Sequence, residues 1–192
     1  MTIGLFGGSF NPIHMGHCIL ANYILQNAMV DEVWFNVSPQ NPLKDTQDPT
    51  LNKHKLEMVR LAIEGCKGIK VCDIEYSMPI PSYTIATLSE LTKRHPEHRF
   101  KLIIGADNWQ NFQKWKDWQK ILDEYGVIVY PRLGYGIDST GTPNACLIDA
   151  PIIEISSTYI RNSIASGLDM KFFLPQQVFN YIKEHKLYGY SK

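Results

Sequence analysis

Apolar positions along the chain fall into short runs rich in β-branched and aromatic residues, separated by longer stretches with helical period. Ile3 to Phe6 predicts a strand, and Cys18, Ala21, Leu25 and Ala28, with Leu20 and Ile24 widening the face, predict a well-buried helix from Gly16 to Ala28. Glu32 to Val37 predicts a second strand, ended by Pro39 and a polar loop through Asp45 to Thr50. A helix from about Lys53 to Glu64 and a strand from Ile69 to Cys72 follow. Two prolines break the stretch Ser77 to Tyr83, after which Thr84 to Arg94 reads as a helix. Phe100 to Ile104 is nearly all apolar, as expected of a central parallel strand covered on both faces. Trp109, Phe112, Trp115 and Trp118 recur every third residue, the spacing of a helical stripe packed on a sheet. A helix ends over Ile121 to Tyr125, Gly126 to Tyr130 and Ala145 to Asp149 predict two more strands, and Gly134 to Pro143 is their connecting loop. The last two helices run from Ser157 to Ser166, stopped by Gly167, and from Pro175 to Glu184, with proline near its first turn.

Strand and helix alternate throughout, which predicts an α/β fold: a Rossmann-like, doubly wound parallel sheet with helices on both faces, in a single domain. At 192 residues the chain is long enough to bury a core without disulfides or a structural metal. Its 19 basic and 19 acidic side chains balance, which argues against a nucleic-acid partner. No apolar run approaches the ~18 residues of a membrane span and no leader precedes the first strand, so no membrane partner and a cytoplasmic location are expected. Cys18, Cys66, Cys72 and Cys146 form no C-x-x-C pair and read as buried thiols in a reducing compartment.

The candidate chemistry begins directly behind the first strand, in Gly7-Gly8-Ser9-Phe10-Asn11-Pro12-Ile13-His14-Met15-Gly16-His17. In a doubly wound sheet this first strand-to-helix loop is the usual phosphate site. Gly7 and Gly8 could take positive φ and bring backbone amides close to an anion, and Pro12 restricts Asn11. His14 and His17, three apart at a helix start, would put both rings on one side. Alone, the pair reads first as a tight turn with one capping and one packed histidine. Two histidines without a third ligand make a poor zinc site, and magnesium prefers oxygen, so no protein-held metal is expected. The string is neither a Walker A loop nor G-x-G-x-x-G.

The whole string resembles the G-x-F-[DN]-P-x-H-x-G-H signature of a nucleotidyltransferase superfamily. A second signature of that superfamily, I-S-S-T-x-I-R, is matched by Ile155-Ser156-Ser157-Thr158-Tyr159-Ile160-Arg161. Physically the second string offers hydroxyls and amides at a helix N-terminus, with Arg161 one turn in, although three such residues before a helix are also a plain cap. Between the two, Pro81 to Leu88 and Ile103 to Trp115 resemble segments of bacterial nicotinate mononucleotide adenylyltransferases. The likeness covers nearly the whole chain, with Asn11 where many superfamily members carry aspartate and Leu43 where many carry histidine.

That resemblance implies transfer of the adenylyl group of ATP to nicotinate mononucleotide, giving nicotinate adenine dinucleotide and pyrophosphate, with Mg2+ carried mainly on ATP phosphates. It implies catalytic roles for His14, His17 and Arg161. Phosphate contacts would come from Gly7, Gly8, Ser9, Phe10, Ser156, Ser157 and Thr158, and from Lys44 and Arg132 as further cations. The C-terminal helices, from about residue 157 to 192, would complete the ATP site. The acceptor would be held by Thr84, whose amide at a helix start suits a carboxylate, by Asp107 on ribose hydroxyls, and by Trp115 stacked on the pyridine ring. Rival readings are an adenylyltransferase for nicotinamide mononucleotide or another small phosphate, and a nucleotide sensor without turnover. A homo-oligomer is left open.

Overall fold

Ile3 and Leu5 are buried on one side of the first strand and Phe6 on the other, so this strand must lie inside a sheet covered on both faces. The computed structural model describes residues 1–27, 29–40, 51–136 and 142–191. Among them, six strands form one sheet: β1 (Thr2–Gly8), β2 (Glu32–Val37), β3 (Ile69–Cys72), β4 (Arg99–Gly105), β5 (Val127–Tyr130) and β6 (Ala145–Leu147). All pairings are parallel and the order is β3-β2-β1-β4-β5-β6. The chain therefore winds outward from β1 to β3, then crosses to β4 on the other side of β1. The switch point, where such sheets bind ligands, lies between the carboxyl ends of β1 and β4.

Helices α1 (Met15–Gln26), α2 (Leu51–Ala62), α6 (Ser157–Ala165) and α7 (Gln176–Glu184) cover the face that carries Phe6, Phe35 and Ile103. On the opposite face α3 (Thr84–Arg94) and α5 (Trp118–Glu124) cover Leu5, Trp34, Phe100 and Leu102. The doubly wound sheet is as expected, and no helix of the described residues is long and apolar enough to cross a membrane.

Several local expectations are corrected. Gly7 and Gly8 do not take positive φ: they extend β1 and pair with Asn36 and Val37 of β2. A Cβ on Gly8 would stand 2.8 Å from the Phe10 ring, so glycine is required there by close approach. Phe10 itself takes the left-handed conformation that starts the loop, at φ 45°. The tryptophan stripe is not one helix. It is split into α4 (Ala106–Trp109), a 3-10 turn (Phe112–Lys114) and α5, with Asp117 in the left-handed region before α5. Phe112, fully buried, is the hub on which Trp109, Trp115 and Trp118 pack, at centroid distances of 5.3, 5.6 and 6.2 Å. Pro175 is the N-cap residue of α7, near its first turn as expected. Of the four cysteines only Cys72 is buried; Cys66, in the turn after α2, and Cys146, on the edge strand β6, are exposed.

Candidate active site

The loop from Ser9 to His14 turns the chain from β1 into α1, and His14 becomes the N-cap of that helix. The His14 and His17 rings stack 3.6 Å apart. The backbone N–H of His14 donates to Nδ1 of His17 at 3.3 Å, so the neutral His17 ring carries its proton on Nε2. Phe10 braces this ring from below, edge-on at 5.0 Å, and lies in the core. Its side chain therefore supports His17, and only its backbone is available to a phosphate.

The second signature meets the first at this loop, although 145 residues separate them. Ser156 caps α6 by accepting from the N–H of Tyr159 at 3.1 Å. The Ser157 hydroxyl donates to the carbonyl of Pro12 at 2.9 Å. Arg161 donates from Nη1 to the carbonyl of Asn11 at 2.8 Å and from Nη2 to the Thr158 hydroxyl at 3.2 Å. The Asn11 carboxamide is also held, accepting from the Tyr188 hydroxyl at 2.6 Å. The starts of α1 and α6 are thus tied to one loop, through Ser157 to Pro12 and Arg161 to Asn11.

Burial, and then the nearby Arg132 guanidinium, hold the His14 imidazole down at about 4, against an ordinary 6.5. His17 is also held well below its ordinary value, by burial first, then by His14 and Arg132. Both rings are neutral at pH 7 without ligand. The unfolded chain binds a proton at each histidine near pH 6.5 and the folded chain does not, so folding stability must fall as pH drops through that window. From His14 alone the unfolding free energy at pH 5 should lie about 2 kcal/mol below that at pH 7.5. Urea titrations at the two pH values check this, and a shift between them as large in His14→Gln as in wild type would contradict it.

Beside the histidines, a cavity of about 380 Å³ opens at the carboxyl ends of β1 and β4. Gly7 and Gly8 form one wall, Ser82 to Thr84 at the start of α3 another, and Trp115 with Lys116 a third. The Lys116 ammonium sits 4.9 Å over the Tyr83 ring. Thr84 opens α3 as expected, with Tyr83 as N-cap. Arg132 lies in a smaller pocket with His14 and His17. Asp107 is not in the cavity wall: its carboxylate faces Arg132 at 3.6 Å, folded over the Gly105 backbone. Lys44 lies outside the described residues.

Glu75, which sequence reasoning missed, is 5% exposed and lines the cavity from a 3-10 turn (Ile74–Ser77) behind β3. It accepts from Asn36 Nδ2 at 2.7 Å, Ser82 Oγ at 2.8 Å and Thr87 Oγ1 at 2.9 Å. A single acidic residue between Ile74 and Tyr76 carries no motif that would have marked it. Among the described residues, five buried side-chain atoms lack a hydrogen-bond partner, and three of them, His14 Nδ1, Asn36 Oδ1 and Asp107 Oδ1, adjoin this site, the others being Asn52 Oδ1 and His98 Nδ1. A buried group without a partner costs about 1–3 kcal/mol, so His14 Nδ1 and Asn36 Oδ1 suit walls that meet ligand or water. One group of described side chains has metal-ligand spacing, His95, Glu97 and His98, and it precedes β4 at the opposite end of the sheet.

Over residues 5–163 the chain matches the cytidylyltransferase-like family. A probable nicotinate-nucleotide adenylyltransferase of Bacteroides fragilis is 47% identical over 180 residues, 93% of this chain and 90% of that protein. Another, of Flavobacterium johnsoniae, is 42% identical over 191 residues, covering 98% and 99%. The solved structure of Plasmodium falciparum nicotinic acid mononucleotide adenylyltransferase complexed with NaAD superposes with a TM-score of 0.83 over 99% of this chain and 98% of that one. At 23% identity that likeness is one of fold.

Proposed function

We propose a function from one premise: this chain belongs to the nicotinate-nucleotide adenylyltransferase family. It joins ATP and nicotinate mononucleotide into nicotinate adenine dinucleotide and releases pyrophosphate. The observation that carries the reading is the junction of two anion-binding helix starts, through Ser157 to Pro12 and Arg161 to Asn11, beside the cavity at the switch point.

The mononucleotide phosphate is already a nucleophile at neutral pH, so its oxygen attacks the α-phosphorus of ATP in line and the bond to pyrophosphate breaks. No serine or cysteine nucleophile is needed, and catalysis consists of positioning and charge stabilisation. His17, with its proton on Nε2, donates to the phosphate oxygens on which charge grows, and His14 stacks against it as a second donor. Phosphate binding favours protonation of both rings, opposing the burial that holds them neutral. The first-turn amides of α1 and α6, the backbone of Gly7 and Gly8, Ser9, the Thr158 hydroxyl and Arg161 complete the phosphate clamp, and Arg132 adds positive charge beside the histidines.

The donors here are almost all N–H groups, which take phosphate oxygens and not metals. This set fits a magnesium ion that would arrive on the triphosphate, held mainly by phosphate oxygens. When bound, the ion neutralises phosphate charge.

The acceptor occupies the cavity. The Thr84 amide at the start of α3 suits the nicotinate carboxylate, where a carboxamide would set donor against donor, and Trp115 takes the ring. Trp115→Ala should raise KM for the mononucleotide about two- to tenfold, the worth of one lost stacking contact, with kcat less affected. An unchanged KM would return Trp115 to a packing role around Phe112. Steady-state turnover with nicotinate mononucleotide, nicotinamide mononucleotide and phosphopantetheine in turn tests the assignment. The acid should give the highest kcat/KM. Higher turnover with the amide would favour the nearest rival, and ATP binding with no turnover would favour a sensor.

A further inference from the structure

Glu75 is a charged group that the adenylyl-transfer chemistry leaves without a task. Buried carboxylates are normally paired with a cation or a metal, because their charge is costly in a low-dielectric interior. Glu75 has neither. Its three partners, Asn36, Ser82 and Thr87, are neutral donors, and among the described residues it makes no ion pair. Those hydrogen bonds fix the carboxylate in place and satisfy its oxygens, yet they leave a full negative charge in the cavity wall. Two further features locate that charge. Asn36 is paired with Gly7 in the sheet, which ties Glu75 to the phosphate side. Ser82 and Thr87 flank Thr84, which ties it to the side where the base is held.

The positive charge in this cavity lies elsewhere. Lys114 and Lys116, either side of Trp115, and the amino end of α3 supply it, Lys116 over Tyr83 and Lys114 bonded to Asn111. The wall thus changes sign within the three residues from Ser82 to Thr84. A ligand that carries a cation and an anion on one ring matches this division. The nicotinate mononucleotide of the proposed function, on which this step rests, is such a ligand: its ring nitrogen is quaternary and positive, and its carboxylate is negative.

We propose that Glu75 is the counter-charge for the cationic pyridinium ring and makes the site selective for the oxidised ring over the neutral dihydropyridine of the reduced mononucleotide. The effect acts through space and needs no direct contact. A charge pair several ångströms apart at an effective dielectric of about 20 supports a preference of tenfold or more.

The test compares kcat/KM for nicotinate mononucleotide and for its 1,4-dihydro form, which has nearly the same shape and no ring charge. The full-length wild type should prefer the oxidised form by about tenfold or more. Glu75→Gln, which keeps the volume and removes the charge, should raise KM for the oxidised form and leave the reduced form nearly unchanged, so the preference collapses. Glu75→Asp, and Thr87→Val, which cuts one hydrogen bond and keeps the charge, should both retain the preference. Equal use of the two forms by wild type overturns the proposal without any variant. Equal losses for both forms in Glu75→Gln would also overturn it, leaving Glu75 a purely structural hub. Wild type that turns over neither form contradicts the functional reading itself, a different result from turnover without ring-charge preference.

Discussion

His17→Ala is expected to lower kcat by about 100 to 1000-fold, the usual consequence of removing one preorganised donor from a site where charge develops. The ring is held on several sides: the His14 N–H fixes its tautomer, the His14 ring stacks on one face, and Phe10 supports its edge. A donor fixed in this way costs no reorganisation during the reaction, which is why its loss should appear in kcat more than in KM. Folding should suffer little, because the ring packs beside a phosphate loop and contributes no buried hydrogen bond beyond the one from His14. His17→Gln keeps an N–H donor at similar reach and should recover part of the rate. Turnover of purified His17→Ala within about threefold of wild type would remove His17 from the phosphate machinery.

Arg161→Ala should show a second large effect, and of a different kind. Its guanidinium donates to the carbonyl of Asn11 and to Thr158, so it joins the α6 start to the first loop while its remaining N–H groups stay available to phosphate. Alanine removes both functions. The expected result is a loss of about 100-fold in kcat together with about 1.5–3 kcal/mol of stability, the range for a hydrogen bond from a charged group. Arg161→Lys restores the charge without the planar fork, and should recover stability only in part. Urea unfolding and pyrophosphate release, measured on the same preparations, separate the two effects. A stability loss with near-normal kcat would make Arg161 a strut between the signatures and nothing more.

These two residues also mark how far the sequence could be read. The parallel sheet was legible because its strands are short, mostly apolar and separated by helical stretches, a pattern that one fold class accommodates. His14 and His17 were legible because a spacing of three at a helix start places both rings on one side. The partnership of Arg161 was not: a guanidinium near a helix start points to an anion, and only the folded chain brings Asn11 within 2.8 Å of it. Gly8 was read for backbone freedom, whereas its requirement comes from the Phe10 ring, a contact set by how the loop folds back over β1. The tryptophans misled in a similar way. Their spacing of three fits a helix, but they surround Phe112 from three short elements, and this arrangement frees Trp115 to face the cavity. Glu75 was invisible because its meaning lies in what it lacks, a cationic partner inside the wall of a cavity.

The most direct test is the stoichiometry of products from ATP, Mg2+ and nicotinate mononucleotide with the wild-type chain. Pyrophosphate and nicotinate adenine dinucleotide should form in equal amounts, only when both substrates are present, and at a rate that falls sharply in His17→Ala. Pyrophosphate release that ignores the mononucleotide, or no dinucleotide despite bound ATP, would contradict adenylyl transfer at this site.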